Sequence, residues 1–309
     1  MRRLAAPHPS RAPLPGAVAR AAALALVLVV AAGACPAAAD EITWLTMEFP
    51  PFFIHDGKDR GQGIADGVTH LLQRHLRGYT HREELAEPAT IMTRLKAGDH
   101  VCTAAYIKTA DRERVLEFSL PDLVLPPNGI TTRRATVGRL TGGAAGPVSL
   151  AKLLANRKLR LAVAVGRSYG PALDTLLERT KGSNHVYWRH GEDIYSSLFD
   201  MLLKGSVDYL IGYPYEALYV GRERGVEGQV VTLPIAELPD YTLAHVVCPK
   251  TPWGRAVVGE VNRALSIERP RPEYRQAIER WLDEGLLPEF RRQYEAKFLA
   301  GATPAPSPQ

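Results

Sequence analysis

From Asp40 onward, short runs rich in β-branched and aromatic residues alternate with stretches whose apolar residues recur every three or four positions. That alternation predicts an α/β protein with largely parallel sheets. EITWLTM (41–47) reads as the first strand, after which Ile64, Val68, Leu71, Leu72 and Leu76 fall on one face of a helix. A short helix over 91–97, ended by Gly98, leads to a second strand, HVCTAAY (100–106). A second, self-contained series starts near Ser149, which is placed to cap a helix carrying Leu150, Leu153 and Leu154. It continues through LRLAVAV (159–165), a turn over 166–170, a helix opened by Pro171, and HVYW (185–188). A helix through Ile194, Leu198, Met201 and Leu202, the strand VDYLIG (207–212) and a helix opened by Pro214 complete it. A last strand, YTLAHVVC (241–248), and helices over 255–265, 273–284 and 288–299 fit either series, and periodicity leaves both assignments open. The closing GATPAPSPQ (301–309) is Pro-rich and expected to be disordered.

The first 39 residues follow a different pattern. Arg2, Arg3, Arg11 and Arg20, with no acid among them, precede an apolar run at 21–33, and Ala37, Ala38 and Ala39 precede Asp40. Charge, apolar run and small-residue site together read as a secretory signal peptide. The run is about 13 residues long where a bilayer span takes roughly 20, which argues against a permanent anchor. Cys35 leaves a second reading open, a lipid-modified first residue, although Ala32 stands where a larger aliphatic residue is usual.

Without that leader the formal charge falls from +5 to +1, so the basicity belongs to the precursor. The argument for a nucleic acid or an anionic membrane surface as partner disappears with it. About 270 remaining residues exceed what one core usually holds, so two lobes are expected. Cys102 and Cys248 remain, and an oxidising compartment permits a disulfide. Spacing alone allows two unrelated buried thiols equally well.

Four segments, in this order, carry a resemblance. They are MEFPPFFIHDGKDRGQGIAD (47–66), VCTAAYIKTADRERVLEFSLP (101–121), LAVAVGRSYG (161–170) and LLKGSVDYLIGY (202–213). The first is similar to an aromatic and Pro segment followed by a Gly-containing turn into helix one. The second resembles a strand followed by Thr, an Arg three positions later, then an aromatic and Ser before Pro. The third resembles the strand and Gly-Ser/Thr turn that opens a second lobe, and the fourth a late Gly-x-x-Asp strand. Together they resemble the periplasmic extracellular solute-binding proteins of the polar-amino-acid type, family 3. The resemblance implies a type II periplasmic-binding fold, two βα lobes joined by a two-strand hinge. Lobe one would span 40–130 and return over 243–300, with lobe two at 131–242 and hinge strands near 129–134 and 238–243. Cys102 and Cys248 would then both lie on lobe-one strands, where a disulfide would staple the return segment.

The same resemblance nominates ligand contacts. Arg112 corresponds to the arginine that grips a ligand carboxylate, a task suited to the planar guanidinium fork; within DRER, Arg112 also fits an ordinary solvated charge, as Arg114 does. Thr109 could add a hydroxyl to the same anion. Phe49 stands where an aromatic ring meets the ligand, and Phe52 fits either the pocket or the core. Ser168, in the turn before a helix, is placed to hold an anionic group. Arg167 and Tyr169 flank it, and Arg167 fits a second ligand-facing cation or a solvent-exposed one.

Two departures from the family matter. An acid usual five residues after Asp208 is replaced by Tyr213, and small hydroxyl residues are replaced by Ala104 and Ala105. A ligand ammonium buried there would lack its partner, at a cost of several kcal/mol, unless Glu216 substitutes. The expected ligand is therefore a small organic anion or an amino-acid-like molecule other than a common amino acid.

Other chemistry has little support. His70, His75 and His81 are spaced by five and six, unlike metal ligands on one helix face. His185 and His190, near Glu192 and Asp193, fit a strand end and a helix cap. No phosphate-binding Gly-Lys-Ser/Thr loop is present. The expectations are thus no catalytic residue, no metal and no cofactor, in a periplasmic monomer that gives its ligand to an ABC transporter permease or a membrane sensor. The alternative is a cyclohexadienyl-dehydratase-like enzyme on the same fold, with Glu216 or Lys108 as acid or base.

Overall fold

A computed structural model describes residues 40–190, 194–239 and 241–300 of the chain. The expected leader, Cys35, Glu192, Asp193 and the 301–309 tail lie outside the described residues. The hydrophobic runs become two five-stranded sheets, each covered by helices. Among the described residues, no helix is long and apolar enough to cross a membrane.

The first sheet has the order β2-β1-β3-β10-β4, from β1 (Asp40–Thr46), β2 (Tyr79–Leu85), β3 (Val101–Ile107), β4 (Leu116–Leu125) and β10 (Thr242–Pro249). The second has the order β7-β6-β8-β5-β9, from β5 (Gly129–Arg133), β6 (Leu161–Ala164), β7 (Val186–Arg189), β8 (Tyr209–Gly212) and β9 (Val230–Pro234). Neither is largely parallel as expected. β10 runs antiparallel to β3 and β4, and β5 antiparallel to β8 and β9. Each lobe therefore joins a parallel half, built by βα crossovers, to an antiparallel half where the chain crosses between lobes. The hinge expectation shifts accordingly: 129–133 is a strand of the second sheet, and the first crossing lies before it, over 126–128.

Helix signals in the sequence act where they stand. Gly98 takes a left-handed conformation and ends α2 (Pro88–Ala97), after α1 (Ile64–His75) and before the short α3 (Ala110–Glu113). Lobe two contains α4 (Val137–Thr141), α5 (Leu150–Ala155), α6 (Pro171–Glu178), α7 (Ile194–Leu203) and α8 (Pro214–Glu223). The Ser149 hydroxyl accepts from Lys152 N to cap α5, and Pro171 and Pro214 open α6 and α8. β2 was not apparent as a strand because YTHREEL has no apolar alternation. It is a charged edge strand, a composition that discourages pairing with another chain.

The return segment belongs to lobe one: β10 pairs between β3 and β4, and α9 (Pro252–Glu268), α10 (Pro272–Glu279) and α11 (Leu287–Gln293) follow it. Trp44, Ile64, Leu72, Val246, Val257 and Phe290 share that lobe's core. Cys102 of β3 and Cys248 of β10 form a disulfide, Cα–Cα 4.4 Å, joining neighbouring strands 146 residues apart in sequence. Lobe two packs Leu161, Val163, Leu173 and Ile211 on one side of its sheet and Phe199, Leu202, Leu210 and Val220 on the other. α8 also reaches lobe one, where Tyr215 enters the first core, Tyr219 packs on Trp281 and Arg222 donates to Arg280 O at 2.8 Å.

Candidate ligand-binding site

Ligands of open α/β sheets bind beyond the carboxyl ends of parallel strands. Here four such ends, those of β1, β3, β6 and β8, carry every residue the sequence singled out for ligand contact.

After β1 the chain turns tightly: Phe52 N and Phe53 N both donate to Phe49 O, at 2.8 and 3.1 Å. Asp66 in the first turn of α1 fixes this turn through its Oδ2, which accepts from Ile54 N at 3.0 Å and Gly63 N at 2.9 Å. Gly63 is required by contact, since a Cβ there would meet Phe52 O at 2.3 Å. Phe52 is buried, and the half-buried Phe49 stacks on it, centroids 5.1 Å apart. Both rings reach lobe two, Phe49 meeting Tyr213 edge-on at 6.5 Å and Phe52 meeting Tyr215 at 4.8 Å. Tyr213 stacks on Tyr215 at 4.9 Å, so four rings join the ends of β1 and β8. Tyr215 was missed by sequence reasoning. Its only signals were the four-residue spacing to Tyr219 and its place beside Tyr213.

Beyond β3, the Thr109 hydroxyl accepts from Arg112 N at 3.3 Å and caps α3. The Arg112 guanidinium lies over the Tyr106 ring at 4.3 Å and donates from Nη1 to Ile107 O at 2.7 Å. Among the described residues it has no carboxylate partner. Its neighbours in sequence do: Arg114 pairs with Asp111 at 2.5 Å and Lys108 with Glu113 at 2.5 Å. The two arginines that DRER left equivalent are thereby distinguished.

Lobe two answers differently. The Arg167 guanidinium forks onto Glu216, with Nη1 to Oε1 at 2.8 Å and Nη2 to Oε2 at 2.7 Å. Glu216 Oε2 also accepts from Tyr213 N at 2.9 Å. The Glu216 side chain is 3% exposed and that of Arg167 18%. Rings of Tyr169, Tyr213 and Tyr195 surround the guanidinium at 5.3, 5.6 and 5.9 Å. Burial opposes the charge on Arg167, but the Glu216 carboxylate outweighs it and holds the guanidinium above its ordinary range. Arg167 is thus neither solvent-exposed nor an unpaired cation, and Glu216, the substitute considered for an ammonium partner, is already neutralised.

Ser168 Oγ donates to Asp174 Oδ2 at 2.5 Å and accepts from Gly170 N, while Tyr169 N donates to Asp174 Oδ1 at 2.8 Å. The anion held by this turn is the protein's own carboxylate, in the first turn of α6. Tyr169 is buried in the lobe-two core, its hydroxyl accepting from Ala164 N at 3.0 Å. A cavity of about 460 Å³ opens beside Arg167 and Ser168, with Leu177, Lys181 and Trp188 on its walls.

Among the described residues, no cluster of His, Cys, Asp or Glu could hold a metal ion. His70 pairs with Glu83 at 3.2 Å, His75 with Glu268 at 2.9 Å, and His81 accepts from the Trp44 indole at 3.1 Å.

No family model matches the chain, and no curated protein matches it. Solved structures do. A probable amino-acid ABC transporter extracellular-binding protein from Bacillus subtilis aligns with TM-score 0.59 and 13% identity, over 79% of this chain and 97% of that one. An ancestral cationic amino acid solute-binding protein aligns with TM-score 0.59 and 16% identity, over 79% and 96%. A histidine kinase sensor domain with similarity to periplasmic binding proteins gives TM-score 0.56 and 17% identity, over 79% and 96%. At these identities the likeness shows the fold, and the chain has the periplasmic-binding-protein fold.

Proposed function

We propose that this protein works outside the cytoplasm, capturing a small organic anion between its lobes and presenting it to a membrane transporter or sensor. The observation that carries this reading is the contrast between two arginines: Arg112 is cradled by Tyr106 and Ile107 O without an acid, whereas Arg167 is neutralised by Glu216. A carboxylate in the cleft completes Arg112 with charge-assisted hydrogen bonds. A ligand ammonium finds no unpaired acid at the end of β8, because Tyr213 stands there and Glu216 is engaged. Phe49 and Tyr213, which meet edge-on across the lobes, supply apolar ring surface that suits an aromatic body. Closure brings contacts from both lobes onto one ligand and so favours the closed population. The dehydratase alternative loses support because Glu216 and Lys108 are both held in ion pairs. The likeness to transporter-associated binding proteins and to a sensor domain supports a membrane partner of either kind.

The test is calorimetry with aromatic and aliphatic carboxylates set against the polar amino acids. Carboxylates without an ammonium bind, and Arg112→Gln loses roughly 100-fold in affinity, as expected when one partner of a desolvated charge pair is removed. Tight binding of a standard polar amino acid overturns the reading.

A further inference from the structure

β3 does not run straight into Arg112. Between Thr103 and Tyr106 it advances three residues while β10 advances two, from Val247 to His245, so β3 carries a β-bulge. The extra residue falls at Ala104–Ala105, and Ala105 has φ +60°, the one non-glycine residue with positive φ among those described. Alanine keeps that conformation only where its surroundings impose it. Here the constraint is Asp122, whose Oδ2 accepts from Ala105 N at 2.8 Å. Asp122 is itself the extra residue of a second bulge, on β4, where Leu123 and Pro121 face the consecutive Ala244 and His245. Its side chain is fully buried, and its Oδ1 has no protein partner.

The bulge redirects the residues that follow, Tyr106 and Ile107. These are the two that hold Arg112, one through its ring and the other through its carbonyl. We propose that Asp122 is a positioning residue of the anion site: its buried carboxylate fixes the Ala105 bulge, which sets the ring and carbonyl on which the Arg112 guanidinium rests. The inference depends on reading Arg112 as the ligand's anchor.

The arrangement is sensitive to pH near neutrality. Burial pushes the Asp122 carboxyl up to about 7, against the opposing pull of Ala105 N–H and the Arg269 guanidinium. Arg269, just after α9, is buried with Nε and Nη2 unpartnered, and Tyr274 of α10 donates its hydroxyl to Asp122 O at 2.6 Å. Tyr294 donates to Arg269 O. His245 of β10 donates from Nδ1 to Ser119 O, and burial holds it below its usual range. Raising pH through 7 converts Asp122 from a neutral acceptor into a carboxylate, which accepts the Ala105 N–H more strongly. Anion binding then tightens with pH. Simple repulsion between Asp122 and a bound anion has the opposite sign.

The experiment has one arm without ligand and one with benzoate. In the wild type, nitrogen-15 NMR should show the Ala105 amide and Arg112 Nε resonances titrating together near pH 7, while benzoate affinity rises about fivefold between pH 6 and 8. Asp122→Asn keeps an acceptor but cannot ionise, so both resonances and the affinity stay at their low-pH values across the range. Asp122→Ala removes the acceptor, shifts Arg112 Nε and costs roughly tenfold more affinity. If Asp122→Ala does not fold, the wild type and Asp122→Asn still decide. An Arg112 resonance that ignores the Asp122 titration, or affinity that falls with rising pH, overturns the proposal. Failure of the wild type to bind benzoate or any other carboxylate defeats the organic-anion reading instead, and the NMR arm still tests the linkage between Asp122 and Arg112.

Discussion

Arg112 of lobe one and Arg167 of lobe two each lie against tyrosine rings at the end of a parallel strand, yet only Arg167 has an acid. Burial explains the difference. Arg167 and Glu216 sit under three tyrosine rings, where an unpaired charge is expensive, whereas the half-buried Arg112 stands beside exposed residues of a short helix, where solvent reaches it. Lobe one thus offers charge, and lobe two offers a neutral aromatic wall that meets it through Phe49 and Tyr213. The lobes differ in construction as well. Lobe two is one continuous stretch of chain, but lobe one is assembled from two stretches that meet at β3 and β10 and are joined by Cys102–Cys248.

That second contrast gives the largest expected effect. Replacing both cysteines by Ala opens a loop of 146 residues in the unfolded state and should cost about 4–5 kcal/mol in urea titrations. The loss should appear as earlier unfolding of lobe one, followed through Trp44, Trp253 and Trp281, with Trp188 of lobe two less affected. Equal loss in both lobes would mean that they unfold as one cooperative unit.

Next in size is Glu216→Gln. It leaves Arg167 buried without its carboxylate and should destabilise the protein by roughly 3 kcal/mol. It also gives lobe two the unpaired cation that lobe one already has, so carboxylate affinity should increase. A decrease would show that the ion pair's shape, rather than its neutrality, matters to the cleft.

The smallest effect should come from Phe49→Ala. This removes one stacked contact within lobe one, to Phe52, and one edge contact across the lobes, to Tyr213, each aromatic pair being worth about 1 kcal/mol. Aromatic carboxylates should lose more affinity than aliphatic ones of the same charge. Equal losses would assign Phe49 to lobe contact alone.

Local signals in the sequence were reliable where one residue does one local job. Ser149, Gly98, Pro171 and Pro214 bound their helices because capping and fixed φ act within one turn of chain. β2 escaped notice because an edge strand needs no apolar face to pair. The parallel sheets expected from βα alternation became mixed, because antiparallel pairing of β5 and β10 is decided by where the chain crosses between lobes. At the site, Phe49, Arg112, Ser168 and Tyr213 follow β1, β3, β6 and β8 in turn, and Phe49 and Tyr213 meet across the two sheets. The order of motifs was silent on Tyr215, Tyr195 and Asp122, which resemble ordinary core positions or turn residues along the chain.

The sequence by itself determined the α/β class and most helix boundaries, because periodicity and capping are properties of short stretches. Only the tertiary structure decided which arginine stays unpaired. Arg167 and Glu216 are 49 residues apart, and Asp122 lies 17 residues from the amide it holds. A charge's partner is set by distance in space and by the low dielectric around it, and neither is written in the spacing of residues along a chain.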